Sequence, residues 1–210
     1  SKMDDSIYKI FEKRVYDANI CTSQNCKVKF QGDALPKATF NTYAKMYTKS
    51  DEICTFTSDR WSVCIAPSDD GFEHVSFVNG ICTTKGGSHV DHVSGILANG
   101  IIEDMAKKIK LRPQQVKNAF FVFVKATLVN PSFSSQVKSE CTLKPQDFGS
   151  KFEPPKTFIK NILKTGIQSE LMALSKFREM KELKKTDGSR KSKITGIPKL
   201  DDANKAGTTH

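Results

Sequence analysis

A chain of 210 residues with a formal net charge of +10 can bury one or two cores and favours a polyanionic partner, since 33 Lys and Arg outnumber 23 Asp and Glu. The apolar share of 38% is ordinary for a folded protein, and no stretch reaches the roughly 20 apolar residues of a membrane span. Wholesale disorder and a transmembrane helix are thereby set aside, and the opening Ser1-Lys2-Met3-Asp4-Asp5 has no apolar signal segment, so a soluble chain with free thiols is expected.

Ile7, Ile10, Phe11, Arg14-Val15 and Ala18 recur at helical spacing behind Asp4-Asp5, at the end where negative charge is favoured. Val28-Lys29-Phe30 alternates as a short strand, and Gly32-Asp33 reads as a turn. Phe40, Tyr43, Met46 and Tyr47 fit a short amphipathic helix. Residues 53–56 and 61–65 predict two strands of a hairpin around Thr57-Ser58-Asp59-Arg60. Asp69-Asp70-Gly71 then turns the chain into a third strand, His74 to Val78. Gly86-Gly87 interrupts the pattern, and Ser88 with Asp91 has the form of a capping box. Val90, Val93, Leu97, Ile101 and Met105 define the buried side of the helix that follows, which Arg112-Pro113 ends or restarts.

Ala119 to Val124 is nearly all apolar and continues through Lys125 to Val129, as a strand covered on both faces does. A polar loop, Ser132 to Ser139, follows Asn130-Pro131 and leads to irregular chain as far as Pro154-Pro155. Phe158, Ile162, Leu163, Ile167, Leu171, Leu174 and Phe177 predict one long helix, imperfect only at Gly166. Its basic end, Lys176 to Lys193, passes into the linker Thr186-Asp187-Gly188-Ser189. Strands and helices alternate without an internal repeat, which gives an α/β or α+β sandwich.

Cys21 and Cys26 have no second pair, and His74, Cys82, His89 and His92 lack zinc-ligand spacing, so no metal site is assigned. The sequence contains no G-x-x-x-x-G-K-S/T, G-x-G-x-x-G, H-E-x-x-H or G-x-S-x-G. Taken alone, these residues describe a basic α/β domain without a reaction.

Five segments in order carry a more specific signal. Ser76 to Asp91 reads S-F-V-N-G-I-C-T-T-K-G-G-S-H-V-D, and Gln115 to Asn118 reads Q-V-K-N. Asn130 to Glu140 reads N-P-S-F-S-S-Q-V-K-S-E, Phe148 to Ser150 reads F-G-S, and Gly196 to Asn204 reads G-I-P-K-L-D-D-A-N. This series resembles the eukaryotic type IIA DNA topoisomerases, and its T-x-x-G-G-x-H core resembles bacterial gyrase as well. The resemblance covers almost the whole chain.

It implies an α/β fold: a split β-α-β transducer domain, similar to a ribosomal-protein domain, with a long C-terminal helix, preceded by the tail of a GHKL ATPase domain. The corresponding boundaries are 1–35 for the ATPase end, 36–185 for the transducer and 186–210 for a linker toward the TOPRIM domain. No catalytic residue is expected in this chain, because the ATPase base would lie upstream and the metal motif and DNA-cleaving tyrosine downstream.

In that family the lysine of Q-T-K reaches the terminal phosphate of ATP, which implies that role for Lys138, with Gln136 and Val137 beside it. A desolvated ammonium there stabilises charge that moves in phosphoryl transfer. Val137 stands where the family has threonine, so a hydroxyl contact is lost while a backbone N–H remains. Gly86-Gly87 before a helix also has the form of a phosphate-binding turn, but the reading adopted is a tight strand-to-helix turn with His89 hydrogen-bonded inside it.

Lys107, Lys108, Lys110 and Arg112 fall where relatives carry a longer lysine-rich loop that touches DNA, which implies phosphate contact; a solvated helix end is the alternative. The run Lys181, Lys184, Lys185, Arg190, Lys191 and Lys193 is read equally as a solvated linker or a second DNA-facing stripe. For the parent protein the resemblance implies ATP and Mg²⁺ as cofactors, double-stranded DNA as substrate, a homodimer and no membrane. It implies a nuclear location, or a host-cell site of replication if the source is a large DNA virus. Two competing readings are a non-catalytic nucleic-acid-binding module and the transducer of another GHKL ATPase, a chaperone or a mismatch-repair protein.

Overall fold

A computed structural model describes residues 4–23, 25–48 and 50–187, with side chains as far as Glu182. The Gly196–Asn204 motif, the linker from Gly188, and the side chains of Lys184, Lys185, Arg190, Lys191 and Lys193 lie outside the described residues.

Helix α1 (Asp5–Cys21) leads through a small hairpin, β1 (Lys29–Phe30) and β2 (Asp33–Ala34), to the short α2 (Phe40–Ala44). The hairpin turn sits at Gln31-Gly32, both at positive φ, one residue earlier than the sequence suggests. The predicted strand pair forms as β3 (Cys54–Thr57) and β4 (Trp61–Pro67), followed by β5 (Glu73–Val78) and β6 (Ile81–Cys82). After β7 (Gly86–Gly87) come α3 (Ser88–Met105), α4 (Pro113–Asn118) and the central strand β8 (Phe120–Ala126). The remainder holds β9 (Glu140–Cys141), a 3₁₀ turn at Pro145–Asp147, α5 (Lys156–Lys164) and α6 (Ile167–Asp187).

Five strands form one sheet in the order β3-β4-β8-β5-β6. Strand β8 runs antiparallel to β4, from Trp61 opposite Ala126 to Pro67 opposite Phe120, and parallel to β5, from Glu73 opposite Phe121 to Val78 opposite Ala126. The crossover between the parallel strands is α3 with α4. Side chains on β8 alternate between two cores because successive residues of a strand face opposite sides. Val122 and Val124 join Trp61, Val63, Ile65, the α3 residues Val93, Leu97, Ile101 and Met105, and the α5 residues Phe158 and Ile162. Phe123 joins Cys64 and Phe77 beneath Ile20, Phe40, Tyr43 and Ala44. All five α3 positions expected to be buried are so, and full burial of each such side chain stabilises by about 1.5–3 kcal/mol.

Three sequence expectations change. The apolar spacing from Phe158 to Phe177 does not make one helix. Thr165 is extended, its hydroxyl and N–H both return to the Ile162 carbonyl at 2.6 and 3.2 Å, and α5 stops there. The Glu52 carboxylate then accepts from the Gly166 N–H at 2.8 Å, at the start of α6, where an anion is favoured. Ile167 and Leu171 are buried, whereas Leu174 and Phe177 are exposed. Ser88 is not a cap: Gly87 holds that position, and the Ser88 hydroxyl donates to the carbonyls of Leu143 at 2.5 Å and Cys141 at 3.3 Å. On α1 the helical spacing is right, but Ile7, Ile10 and Phe11 are about half exposed, and Met46 beyond α2 is exposed too. The described residues up to Ser175 make one compact unit; Lys176 opens a second, described through Asp187.

Candidate functional site

The polar loop after β8 is a narrow hairpin with a secured base. Ser134 N–H donates to the Glu140 carbonyl at 3.1 Å and Thr142 N–H to the Ser132 carbonyl at 2.9 Å, with Phe133 bridged to Cys141. On its other side the loop pairs in parallel with β7, placing Gly86 opposite Glu140 and Gly87 opposite Cys141, and Lys85 N–H donates to Ser139. The tip, with Gln136, Val137 and Lys138, is exposed, and Val137 is 82% so. Lys138 N–H closes a turn onto the Ser135 carbonyl at 3.0 Å. Its φ of 57° is left-handed, a conformation that costs a non-glycine residue about 1–2 kcal/mol and marks a position the surroundings impose. The Lys138 ammonium lies 5.9 Å from the centre of the Phe133 ring and makes no ion pair among the described residues. A cation so held is free to take an anion.

The T-x-x-G-G-x-H core explains why the base is rigid. A Cβ on Gly87 would meet the Cys141 carbonyl oxygen at 2.2 Å, so the close approach of β7 and β9 requires a residue without one. Behind it, Ser76 and Thr83 share a hydroxyl hydrogen bond at 2.6 Å, and Thr83 meets His89 Nε2 at 3.2 Å, all three side chains buried. Burial, and secondarily the charge of His74, pushes His89 down to about 4, so the imidazole is neutral. His89 therefore sits inside the turn and does not face a ligand.

The other motifs are structural clamps that the sequence did not disclose. In F-G-S, Phe148 packs 5.7 Å from Trp61, and Ser150 accepts the indole N–H at 2.9 Å. Asn79 folds its carboxamide back on Leu128, accepting its N–H at 2.8 Å and donating to its carbonyl at 3.0 Å, which fixes where the chain leaves β8. In Q-V-K-N, Val116 is buried, and the Gln115 side chain accepts from the Arg112 N–H at 2.9 Å at the start of α4. Asp17 on α1 accepts from Tyr43 at 2.6 Å and from Lys13 at 2.8 Å, tying α1 to α2. Apolar periodicity gave no signal for it, because a nearly buried carboxylate on a helix looks in sequence like any surface charge.

A groove of about 510 Å³ runs between α1 and the segment after β5, lined by Ile10, Lys13, Arg14, Ile81, Thr84 and Val137. It brings the loop tip beside α1. The basic cluster is elsewhere: after α3, Ile109 and Leu111 turn inward while Lys107, Lys108, Lys110 and Arg112 are exposed. None of the four forms an ion pair among the described residues. Phe120 and Phe123 are buried in the central strand and Phe121 is partly so, which leaves no exposed aromatic face on β8 for base stacking.

Two fits follow from these positions. The exposed, unpaired Lys138 suits the end phosphate of a nucleotide whose other contacts come from outside the loop. Magnesium finds no such site: among the described residues no group of three or more His, Cys, Asp or Glu could hold a metal ion. Nor, among them, is any helix long and apolar enough to cross a membrane.

Residues 28–180 match the family described as DNA gyrase B. DNA topoisomerase 2 of Bombyx mori is 38% identical over 220 residues, covering 99% of this chain and 14% of that protein. The ATPase region of Saccharomyces cerevisiae topoisomerase II matches in structure with a TM-score of 0.77 at 33% identity, over 83% of this chain and 47% of that one. A structure of the ATPase and transducer domains of DNA topoisomerase II from Balamuthia mandrillaris matches with a TM-score of 0.76 at 29% identity, over 86% and 47%. The chain thus spans about one seventh of its curated relative's length.

Proposed function

From the premise that this chain belongs to the DNA gyrase B family, we propose that it is the transducer of a type II DNA topoisomerase, the part that couples ATP turnover to passage of one duplex through another. In this reading residues 1–35 end the ATPase domain, 36–185 are the transducer, and 186–210 lead toward the cleavage core. The parent acts as a homodimer on double-stranded DNA with ATP and Mg²⁺, in the nucleus or, for a large DNA virus, at the host-cell site of replication.

The observation that carries the reading is Lys138: a cation without an ion pair among the described residues, at the tip of a hairpin whose base pairs with β7, the strand that leads into α3. ATP, when bound, supplies the γ-phosphate whose transfer the site serves. Lys138 would place one positive charge against it, and Gln136 and the Val137 N–H would hydrogen-bond beside that charge. Because β9 and β7 are paired, a shift of Lys138 is passed to Gly86-Gly87 and hence to the start of α3. The loop thereby reports whether a phosphate is present, which is a two-state element biased by one ligand group. Lys107, Lys108, Lys110 and Arg112 add sequence-independent contacts to DNA phosphates.

The test is Lys138→Ala in the full parent enzyme. ATP hydrolysis and strand passage should fall by roughly 10²–10³, as for loss of one charge-stabilising contact, while ATP-independent DNA cleavage persists. ATP turnover near that of the unaltered enzyme would refute the assignment of Lys138.

A further inference from the structure

The side of the sheet that faces α1 is not covered to its end. Helix α1 stops at Cys21, and beyond it the last residues of β8, the turn after β5 and the β3–β4 turn enclose a polar pocket of about 610 Å³. Its floor is a cross-strand pair: Ser62 on β4 stands directly opposite Lys125 on β8, on the same face as Cys64 and Phe123. Arg60 and Thr127 stand at its rim. The pocket lies where the parallel strands β5 and β8 both end, at Val78 and Ala126. In open α/β sheets the carboxyl ends of parallel strands are the usual place for a ligand. Its size also falls in the range of small-molecule sites, about 300–1,000 Å³.

The chemistry of the lining is one-sided. Lys125 is the single cation in an apolar strand, and its ammonium spends one hydrogen bond on the Ile20 carbonyl at 3.2 Å. It also lies 5.8 Å from the centre of the Phe40 ring, and with three N–H donors it retains hydrogen-bonding capacity for a ligand. Arg60 forms no ion pair, and the hydroxyls of Ser62 and Thr127 have no partner among the described residues, although Ser62 is only 9% exposed. Cys21, also in the lining, is kept a neutral thiol because burial pushes it up to about 11. The single carboxylate lining the pocket, Asp59, is exposed. The negative end of α1, which would repel an anion, is neutralised: Lys37 donates to the Asn19 carbonyl at 2.8 Å and Lys125 to that of Ile20.

We propose that this pocket binds a phosphate group, with Lys125 and Arg60 supplying charge and Ser62 and Thr127 supplying hydroxyl donors. None of these residues enters the function proposed above, so either can fail without the other. The phosphate could belong to a free phosphomonoester or to a nucleic-acid backbone.

Titration calorimetry of this chain with inorganic phosphate, AMP and a short DNA duplex separates the sources. Arg60→Gln and Ser62→Ala should each weaken binding of the preferred ligand by roughly tenfold or more, as expected when a hydrogen bond to a charged group is lost. Lys160→Gln, exposed on α5 on the other side of the sheet, should leave AMP binding unchanged. Lys125→Met should abolish binding; because it also removes a contact to α1, circular dichroism must show it folded, and the Arg60 and Ser62 variants carry the test if it is not. AMP or phosphate binding that drops in these variants establishes a free-ligand site. Duplex binding alone that drops with Arg60→Gln and Ser62→Ala establishes a backbone contact. No saturable binding of any of the three, or binding indifferent to both variants, overturns the proposal.

Discussion

Replacing Gly87 with alanine asks whether the Lys138 loop is held by backbone contact. Gly87 has a φ of 123°, and a Cβ there would lie 2.2 Å from the Cys141 oxygen and 2.6 Å from its nitrogen. Both are backbone atoms, so no change of rotamer relieves the overlap and β7 must part from β9. The left-handed backbone costs about 1–3 kcal/mol and two lost hydrogen bonds about 1 kcal/mol each, or roughly 3–5 kcal/mol together. That is a large part of the about 5–15 kcal/mol that holds a typical domain folded. Gly95, inside α3, is the matched control: nothing lies within 4 Å of a Cβ added there, and Gly95→Ala should stabilise by about 0.5–1 kcal/mol. Urea unfolding followed by circular dichroism should therefore move the two midpoints in opposite directions. A Gly87→Ala midpoint equal to that of the unaltered chain would refute the backbone clamp, and with it the route from Lys138 to α3.

Other outcomes follow from single contacts. Burial holds His89 at about 4, below the ordinary 6.5, so the unfolded chain binds the extra proton in that window. Stability should be complete above about pH 6.5 and fall by about 3 kcal/mol as pH drops to about 4, with His74 and His92 adding in the same sense; denaturant midpoints across this range check it, and His89→Gln should flatten the slope. Ser150→Ala leaves the buried indole N–H of the one tryptophan without its acceptor, which should cost about 1–3 kcal/mol and shift Trp61 emission in the native state. Changing Lys107, Lys108, Lys110 and Arg112 together to glutamine should reduce the salt slope of duplex binding by up to about 3.6, at about 0.9 per phosphate contact; an unchanged slope would remove them from the DNA surface.

The sheet was legible because its strands are long or bracketed by turn residues. The hairpin at Thr57–Arg60, the strand ending at Val78 and the apolar run from Phe120 declare themselves by alternation or continuous burial. The two-residue strands β6, β7 and β9 do not, since two residues carry no period and their pairing is set by tertiary contact. The break at Thr165-Gly166 was missed for a related reason: spacing continues across it, and the Glu52 carboxylate that holds it comes from another part of the chain. Motif resemblance found the Lys138 loop, but not why its neighbours matter. Trp61 with Ser150, and Asn79 with Leu128, are contacts between segments far apart in sequence. Lys125 left a faint trace, a lone cation where an apolar strand ends.

Helix α1 is held by hydrogen bonds at its C-terminal end and only lightly packed at the other. Asp17, Asn19 and Ile20 are bonded to Tyr43, Pro36 and Lys125, whereas toward the N-terminus Tyr8 packs 5.7 Å from Phe30 and Ile7, Ile10 and Phe11 are about half exposed. Mechanically this is a beam fixed at its root and propped by one ring contact near its other end. Twelve residues from Asp17 back to Asp5 span about 18 Å at 1.5 Å per residue, so a tilt of about 10° at the root, against the Tyr8–Phe30 contact, carries Asp5 through roughly 3 Å. Val137 lies along the groove beside this beam, between its root and its tip. Pressure from the loop on the middle of α1 would thus tilt the helix about its root, and a tilt of α1 would in turn press on Val137 beside Lys138.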